Sequence, residues 1–274
     1  MPVKLTILVD NTSAKSEFQA EHGLAILIQG GDLTALFDTG ATQQALMGNL
    51  AQAGVAPTDV QAAILSHGHA DHTGGLAALA SSYRGLRLYA HATAFCRRFA
   101  DRPGQSLREI GCPAGPLRLQ QAGVAMQFVQ SPEMLQEWLI LSGPVGGPPR
   151  GDERFVIRKG EELVIDHFED EQFVLVKGAE GWVVLSGCCH RGLRNTLRLA
   201  RFLARGERIA GIVGGLHLHN ADEEGLGEAL DQLRQHGPLM IHPCHCTGQG
   251  AIDFLRKHLG TLVQPVGSGT TILV

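Results

Sequence analysis

Three imidazoles and one carboxylate lie within six residues of the sequence, in the stretch SHGHADHTGG at positions 66–75. The side chains are those of His67, His69, Asp71 and His72, and they stand between an apolar run and a pair of glycines. Polar groups buried without partners would each cost about 1–3 kcal/mol. We therefore expect a metal ion to bind these four side chains, and the alternative is a hydrogen-bonded histidine loop without metal.

The spacing of the four residues predicts two metal ions. His67 and His69 are two residues apart, so an extended backbone projects both side chains to one side. Asp71 and His72 follow one more small residue, where the chain turns toward the glycine pair, and they can face a second point nearby. Two-metal sites hold their ions about 3.5–4 Å apart, which such a short loop can serve. Imidazole with carboxylate fits zinc best, with iron or manganese as alternatives.

One loop cannot complete two coordination shells, so other ligands must come from other strand ends. His190 in SGCCHRG and His245 in HPCHCTG each follow an apolar run and are the strongest candidates, with a satisfied core histidine as the alternative. Cys188 or Cys189 offers a thiolate, and the alternative is a small buried residue.

Asp38, after the strand-like LTALF, has two compatible interpretations. Its carboxylate can orient a metal-binding histidine, or it can cap the helix that follows. For His217 the sequence leaves three roles open: proton donor, substrate contact and ordinary core residue. His217 and Asp71 are our candidates for catalytic residues. Weaker candidates are His219, His242, His22 and, as a substrate contact, Asn11.

The composition excludes several classes of function. The chain has 274 residues, 44% hydrophobic and 18% charged, with a net charge of −4 and no basic block. We therefore expect neither nucleic acid nor an anionic membrane as a partner. Since no apolar run approaches the roughly 18 residues that span a bilayer and the N-terminus lacks a leader pattern, we expect a cytoplasmic protein. The six cysteines are expected to stay reduced.

The chain alternates short apolar strands with helices, which predicts an α/β layered arrangement. Helices are expected near 42–53 and 74–82, and hairpins at LAILIQGGDLTALFD and EQFVLVKGAEGWVVLSG. The stretch near 100–160 is rich in turn residues and predicts an irregular, lid-like segment, with a long surface connection as the alternative. We find no convincing linker and predict a single domain over 1–274.

These motifs resemble a known family. SHGHADHTGG matches the H-x-H-x-D-H signature of the metallo-β-lactamase superfamily, and LFDTG matches its first motif. LVDNTS, EHGLAILIQ, WVVLSGCCHRGLRNT, GGLHL, HCTG and SGTTILV resemble one branch, the dihydropteroate-synthase-like or 7,8-dihydropterin-6-methyl-4-(β-D-ribofuranosyl)aminobenzene-5'-phosphate synthase-related proteins. The resemblance spans nearly the whole chain and is weakest over 95–160.

The resemblance implies an α/β (α+β) fold: a four-layer αββα sandwich of two mixed β-sheets, with a dinuclear metal site at one edge. It assigns His67 and His69 to one ion, Asp71 and His72 to the other, His190 to the intermediate histidine and His245 to the last motif. Cys188 falls where the superfamily usually has a bridging aspartate, so the bridging ligand stays open.

Metal-dependent hydrolysis is the leading hypothesis for the function. Zinc lowers the pKa of a bound water to about 7, and the resulting hydroxide would attack a phosphoester, another ester or a lactone of a small molecule. The branch name favours phosphorylated substrates. One alternative is a transferase that condenses a dihydropterin pyrophosphate with a ribofuranosyl-aminobenzene phosphate, and another is a non-hydrolytic iron or redox protein. Nothing in the sequence selects an oligomeric state.

Overall fold

The computed structural model describes residues 2–83, 85–148 and 152–274. The strands in these ranges are β1 (Lys4–Val9), β2 (Ala25–Gly30), β3 (Leu33–Phe37), β4 (Ala62–Ile64), β5 (Arg87–Ala90), β6 (Arg98–Ala100), β7 (Arg108–Glu109), β8 (Ala125–Phe128), β9 (Glu133–Gln136), β10 (Leu139–Leu141), β11 (Phe155–Lys159), β12 (Glu162–Ile165), β13 (Val174–Gly178), β14 (Gly181–Ser186), β15 (Ile209–Gly214), β16 (Met240–Pro243) and β17 (Thr271–Leu273). The α-helices are α1 (Gln43–Gln52), α2 (Ala70–Thr73), α3 (Leu76–Ser82), α4 (Pro116–Gln121), α5 (Leu193–Leu203), α6 (Glu223–His236) and α7 (Gln249–Leu259). Of the helices in the described ranges, none is long and apolar enough to cross a membrane.

Two mixed sheets form the centre of the fold, as the sequence predicts. The first has the strand order β17-β1-β2-β3-β4-β5-β8 and is parallel from β3 to β8. The second has the order β16-β15-β14-β13-β10-β9 and is parallel from β14 to β16. The predicted hairpins β2–β3 and β13–β14 are both present as antiparallel pairs.

Alternating side chains of these strands separate the core into layers. Between the sheets, Ile7 and Phe37 of the first pack with Val183 and Val213 of the second. The opposite face of the first sheet packs on α1 and α3, and the opposite face of the second packs on α5, α6 and α7. Because strand residues alternate between faces, each apolar strand serves two of these layers, and the four-layer αββα order is confirmed.

The stretch near 100–160 differs from the expectation of an irregular segment. It contains α4, β8, β9 and β10, and a third, antiparallel sheet in the order β12-β11-β6-β7 that the sequence analysis did not anticipate. These elements are two to six residues long, so they carry no measurable periodicity. They also pair across long sequence distances, as β6 does with β11. Residues 149–151 of the stretch lie outside the described residues.

A buried arginine of the third sheet supports the histidine-rich loop. Arg98, on β6, is only 1% exposed and its guanidinium lies 2.6 Å from Asp166 and 2.7 Å from Asp170. It also donates to the Thr93 carbonyl oxygen at 2.7 Å. The second carboxylate oxygen of Asp170 accepts the backbone N–H of Gly68 at 2.8 Å. The third sheet therefore positions the backbone of the loop through Arg98 and Asp170.

We expect Arg98→Met to lower the free energy of unfolding by about 3–5 kcal/mol, because it leaves two buried carboxylates without their cation. The neighbouring Arg97 provides the control, since its ion pair with Glu109 is exposed and exposed pairs contribute little. Urea denaturation of both variants measures the difference. Equal losses in Arg98→Met and Arg97→Met would contradict the role assigned to the buried cluster.

Candidate metal centre

The candidate site residues follow the C-terminal ends of parallel strands in both sheets, where open α/β sheets hold ligands. The residues concerned are Asp38 after β3, His67 after β4, Cys188 and His190 after β14, His217 after β15 and His245 after β16. Because the two sheets face each other, these strand ends meet at one edge of the sandwich. The structure therefore brings together the side chains that the sequence separates by up to two hundred residues.

A first set of donors consists of His67, His69 and His190. Their candidate ligand atoms lie within 4.8 Å of one another, and all three residues are at most 5% exposed. The Nε2 atom of each is buried and has no hydrogen-bond partner among the described residues. Such orphaned nitrogens are unfavourable, so three converging imidazole lone pairs fit a cation.

A second set of donors lies beside the first and consists of Asp71, His72 and His245. The Nε2 atoms of the two histidines are 3.1 Å apart. The Oδ2 atom of Asp71 lies 3.8 Å from the Nε2 atom of His72 and 3.6 Å from that of His245. Two imidazoles and a carboxylate are a donor set that zinc accepts.

Cys188 stands between the two sets. Its Sγ atom is 3.2 Å from the Nε2 atom of His72 and forms a further candidate group with His67 and His72. The thiol thus contacts the second set of donors and also reaches the first. Its position is compatible with a shared ligand, and the bridging role stays a prediction.

Hydrogen bonds from outside the two donor sets turn the imidazoles toward the centre. Asp38, fully buried, accepts from the Nδ1 atom of His72 at 2.7 Å and from the Ser66 hydroxyl at 2.6 Å. The Ser66 oxygen is 2.9 Å from the Nδ1 atom of His67. Since that hydroxyl donates to Asp38, it accepts the Nδ1 proton of His67. Both Nδ1 protons then point away from the centre, so the Nε2 atoms are the ones directed at it.

Asn11 does the same for His245. Its Oδ1 atom lies 3.0 Å from the Nδ1 atom of His245, and the backbone N–H of His245 donates to Asp10 at 2.6 Å. The sequence analysis considered Asn11 as a substrate contact, but its observed contact is with a candidate ligand. Ser66 and Asp10 were missed, although each is a polar residue at the end of an apolar strand.

The backbone of the site is strained, which is common at functional sites. Asp38, Cys189, His217 and His245 have φ angles of 61°, 67°, 49° and 50°, in the left-handed region that residues other than glycine rarely adopt. Between the first two histidines, Gly68 is required for space, since a Cβ there would collide with a backbone carbonyl oxygen. The histidine-rich loop is therefore tightly constrained.

Burial keeps the first donor set neutral. It lowers the pKa of His67 and of His190 well below the usual value, and neighbouring histidines lower both further. Burial lowers the pKa of His69 to about 3. A neutral imidazole offers the lone pair that a metal ion needs, whereas a protonated one does not.

In the second donor set, without a metal ion, a protonated His72 balances the negative charge of Asp71. Burial alone would raise the pKa of Asp71, but His72 and the hydrogen bond from His22 hold it below its usual value. Burial would likewise lower the pKa of His72, but Asp38 and Asp71 raise it to about 9. A cation that binds here therefore displaces a proton from His72.

Two further side chains that the sequence analysis missed hold His190. The carboxylate of Glu171 accepts the backbone N–H groups of His190 and Arg191 at 2.5 and 2.6 Å, and burial raises its pKa to about 7. The Phe168 ring stacks on the His190 imidazole with centroids 3.8 Å apart and planes 3° apart. The acidic run before the apolar strand β13 was the available signal for Glu171.

A cavity of about 430 Å³ opens over both donor sets. Its lining includes Cys188, His217, Arg102 and Arg108. In the described part of the chain neither arginine makes an ion pair, so both cations are available to an anionic group. The ring of His217 lies 4.3 Å from that of His190 between centroids, which places the catalytic candidate beside the first donor set.

The weaker histidine candidates fall in different places. His22 is exposed and lies 3.2 Å from Asp71, and His219 is a second exposed residue in the cavity lining. His242 is outside the cavity lining, and its Nδ1 atom lies 2.8 Å from the Gln264 carbonyl oxygen.

Comparisons with known proteins agree with this geometry. The sequence profile of the family described as the metallo-beta-lactamase superfamily matches residues 19–245. A protein of Methanocaldococcus jannaschii named 7,8-dihydropterin-6-methyl-4-(beta-D-ribofuranosyl)-aminobenzene-5'-phosphate synthase is 26% identical, over 94% of this chain and 95% of its own length. An uncharacterized protein of the same organism is 28% identical, over 94% of this chain and 99% of its own length.

Solved structures show the same fold. Tm1679, described as a metal-dependent hydrolase of the beta-lactamase superfamily, has a TM-score of 0.85 at 28% identity and covers 99% of both chains. The metallo-beta-lactamase fold protein YhfI from Bacillus subtilis has a TM-score of 0.63 at 16% identity over 100% of both chains. The second likeness concerns the fold alone.

We expect Asp38→Asn to weaken zinc binding by about 10–100-fold, because the amide cannot accept from both His72 and Ser66 with the strength of a carboxylate. Competition with a chromophoric chelator measures the affinity. Asp231→Asn, an exposed change on α6, is the control and should bind zinc like the unmodified chain. Unchanged affinity in Asp38→Asn would remove the orienting role of this residue.

Proposed function

The chain belongs to the metallo-beta-lactamase superfamily, and from that membership we propose that it is a metal-dependent hydrolase acting on a phosphoester of a small molecule. The observation that carries the proposal is the pair of adjacent donor sets whose members line an open cavity. We propose that His67, His69 and His190 hold one divalent cation and that Asp71, His72 and His245 hold the other. Zinc is the preferred ion for these donors, with iron or manganese as alternatives.

Two divalent cations in such a site supply an activated water at neutral pH and stabilise negative charge that develops on the substrate. The residues of the chain supply position and proton transfer. Asp38, Ser66 and Asn11 hold three of the imidazoles in a single orientation. We assign to Asp71 an additional catalytic role in orienting the attacking water, since its carboxylate faces both the second donor set and the cavity.

His217 is our candidate for protonating the leaving group. Its ring lines the cavity next to His190, and neither of its nitrogens has a hydrogen-bond partner among the described residues. It is not needed to complete either donor set. A free imidazole beside the reacting centre is the usual position of a general acid.

Two observations favour a phosphorylated substrate. Arg102 and Arg108 place two cations on the wall of the cavity that contains the donor sets, and guanidinium groups bind phosphate in a bidentate manner. The similar M. jannaschii protein is named as the synthase of a compound that contains a 5'-phosphate. We propose that the anionic group of a phosphoester binds to these arginines and that its scissile bond faces the two donor sets, which line the same cavity.

A transferase is the second candidate, because the similar M. jannaschii protein is named as a synthase of a compound that contains a pterin and a ribose phosphate. In this reaction the site would assist departure of pyrophosphate from a dihydropterin pyrophosphate, and a ribofuranosyl-aminobenzene phosphate would be the acceptor. Mass spectrometry of a reaction with both compounds separates the candidates. A condensed product indicates the transferase, and a hydrolysed pyrophosphate indicates the hydrolase.

We expect zinc-loaded protein to hydrolyse at least one member of a panel of phosphomonoesters, phosphodiesters and lactones, and His67→Ala to lose this turnover, because a donor at the base of the cavity is removed. Chelator should abolish the activity of the unmodified protein, and His242→Ala, outside the cavity, should retain it. Turnover that persists in His67→Ala would refute hydrolysis at this centre.

For His217→Gln we expect kcat to fall by about 10²–10⁴-fold on substrates with alkyl leaving groups, since a general acid contributes about that much. A nitrophenyl ester, whose leaving group needs no proton, should lose far less, while the KM values of both change little. Equal losses on the two substrate types would assign His217 a structural role.

A further inference from the structure

Cys188, Cys246 and His217 form a cluster at the edge of the two donor sets. The Sγ atom of Cys188 lies within 4.8 Å of the Sγ atom of Cys246, and within 4.8 Å of a ring nitrogen of His217. The Sγ atom of Cys246 is also 3.5 Å from the Cys188 carbonyl oxygen. Neither Cys246 nor His217 belongs to the six residues that we assign to the pair of cations. A neutral His217 that binds a cation through one ring nitrogen keeps the N–H of the other nitrogen, so this role is compatible with donation to a leaving group.

The three side chains face the cavity, and the sulfur of Cys188 can be shared between this cluster and the neighbouring donor sets. All three line it, and both thiols are free. Both ring nitrogens of His217 are buried without a hydrogen-bond partner in the described ranges. Gly215 makes room for one of the thiols, because a Cβ at that position would lie 2.6 Å from the Sγ atom of Cys246.

The other two buried cysteines of these loops do not share this arrangement. The Sγ atom of Cys189 is 3.3 Å from the Thr196 hydroxyl oxygen, and Cys244 packs in the apolar core between the sheets. Neither residue lines the cavity. Of the four buried cysteines in these loops, Cys188 and Cys246 are therefore the two that line the cavity.

Two thiols and one imidazole are a donor set for a thiophilic cation. Thiolates prefer soft or borderline ions such as zinc and cadmium over magnesium, calcium or manganese, and a Cys₂His set leaves the fourth tetrahedral position open. We propose that Cys188, Cys246 and His217 bind a thiophilic divalent cation in addition to the pair held by the histidine and aspartate donors. On binding, each thiol releases its proton to solvent and its sulfur donates an electron pair to the ion.

The consequence is a centre with two kinds of donor. The first two sets are nitrogen and oxygen donors, whereas the third is rich in sulfur, so its cation preference should differ from theirs. This site does not require that the chain be a hydrolase. The sulfur-containing site is tested by the absorption of metal-bound thiolates, whereas the proposed hydrolase function is tested by turnover. The two proposals can therefore fail independently of each other.

The test is a titration of the metal-free full-length protein with cadmium chloride, followed by the ultraviolet sulfur-to-cadmium charge-transfer band and by elemental analysis after desalting. We expect a thiolate band in the unmodified protein. In Cys246→Ser we expect the band to fall sharply and one equivalent of cadmium to be lost, and His217→Gln should lose the same equivalent. Cys189→Ser, next to Cys188 but outside the cavity, should keep both the band and the stoichiometry.

Three results would overturn the proposal. One is the absence of a thiolate band in the unmodified protein. Another is a thiolate band that is lost in Cys188→Ser but unchanged in Cys246→Ser. That result would mean that Cys188 binds only the two cations held by the histidine and aspartate donors. The third is an unchanged stoichiometry in both Cys246→Ser and His217→Gln, with thermal melting showing that the two variants are folded.

Discussion

The site depends on one buried carboxylate, that of Asp38. A fully buried charge is unfavourable unless it is hydrogen-bonded, and Asp38 accepts three hydrogen bonds, from the Ser66 amide and hydroxyl and from His72. Its own amide donates to the Ile64 carbonyl oxygen at 2.8 Å. These bonds join the ends of β3 and β4 to α2, and through Ser66 they also fix the orientation of His67. One charge thus sets both the backbone of the loop and the direction of two imidazoles.

The convergence of the candidate site residues could be predicted because they are concentrated in sequence or follow apolar strands. His67, His69, Asp71 and His72 lie within one short loop, and His190 and His245 each end a strand with a clear apolar pattern. Strand ends of a layered α/β fold meet at one edge, so the sequence was sufficient to predict that these six residues converge. The layered α/β arrangement followed from the same periodicity, whereas the two facing mixed sheets were implied by the resemblance to the metallo-β-lactamase superfamily.

The remaining parts have no local signature. The third sheet consists of short strands whose partners are distant in sequence, so the ion pairs of Arg98 and the support of Gly68 by Asp170 appear only in three dimensions. Glu171 and Phe168 act on His190 through a loop that is remote from it in sequence. Nothing in the sequence distinguishes Cys246 from the other cysteines next to a histidine. The structure places its thiol near Cys188 and in the lining of the cavity.

The two donor sets are each proposed to hold one cation. The most direct measurement is anomalous diffraction at the zinc edge from crystals grown with zinc and without chelator. We predict one peak about 2.0–2.1 Å from the Nε2 atoms of His67, His69 and His190 and a second peak at the same distance from the Nε2 atoms of His72 and His245, about 3.5–4 Å from the first. Crystals with full zinc supply and no anomalous peak among these residues would contradict the account.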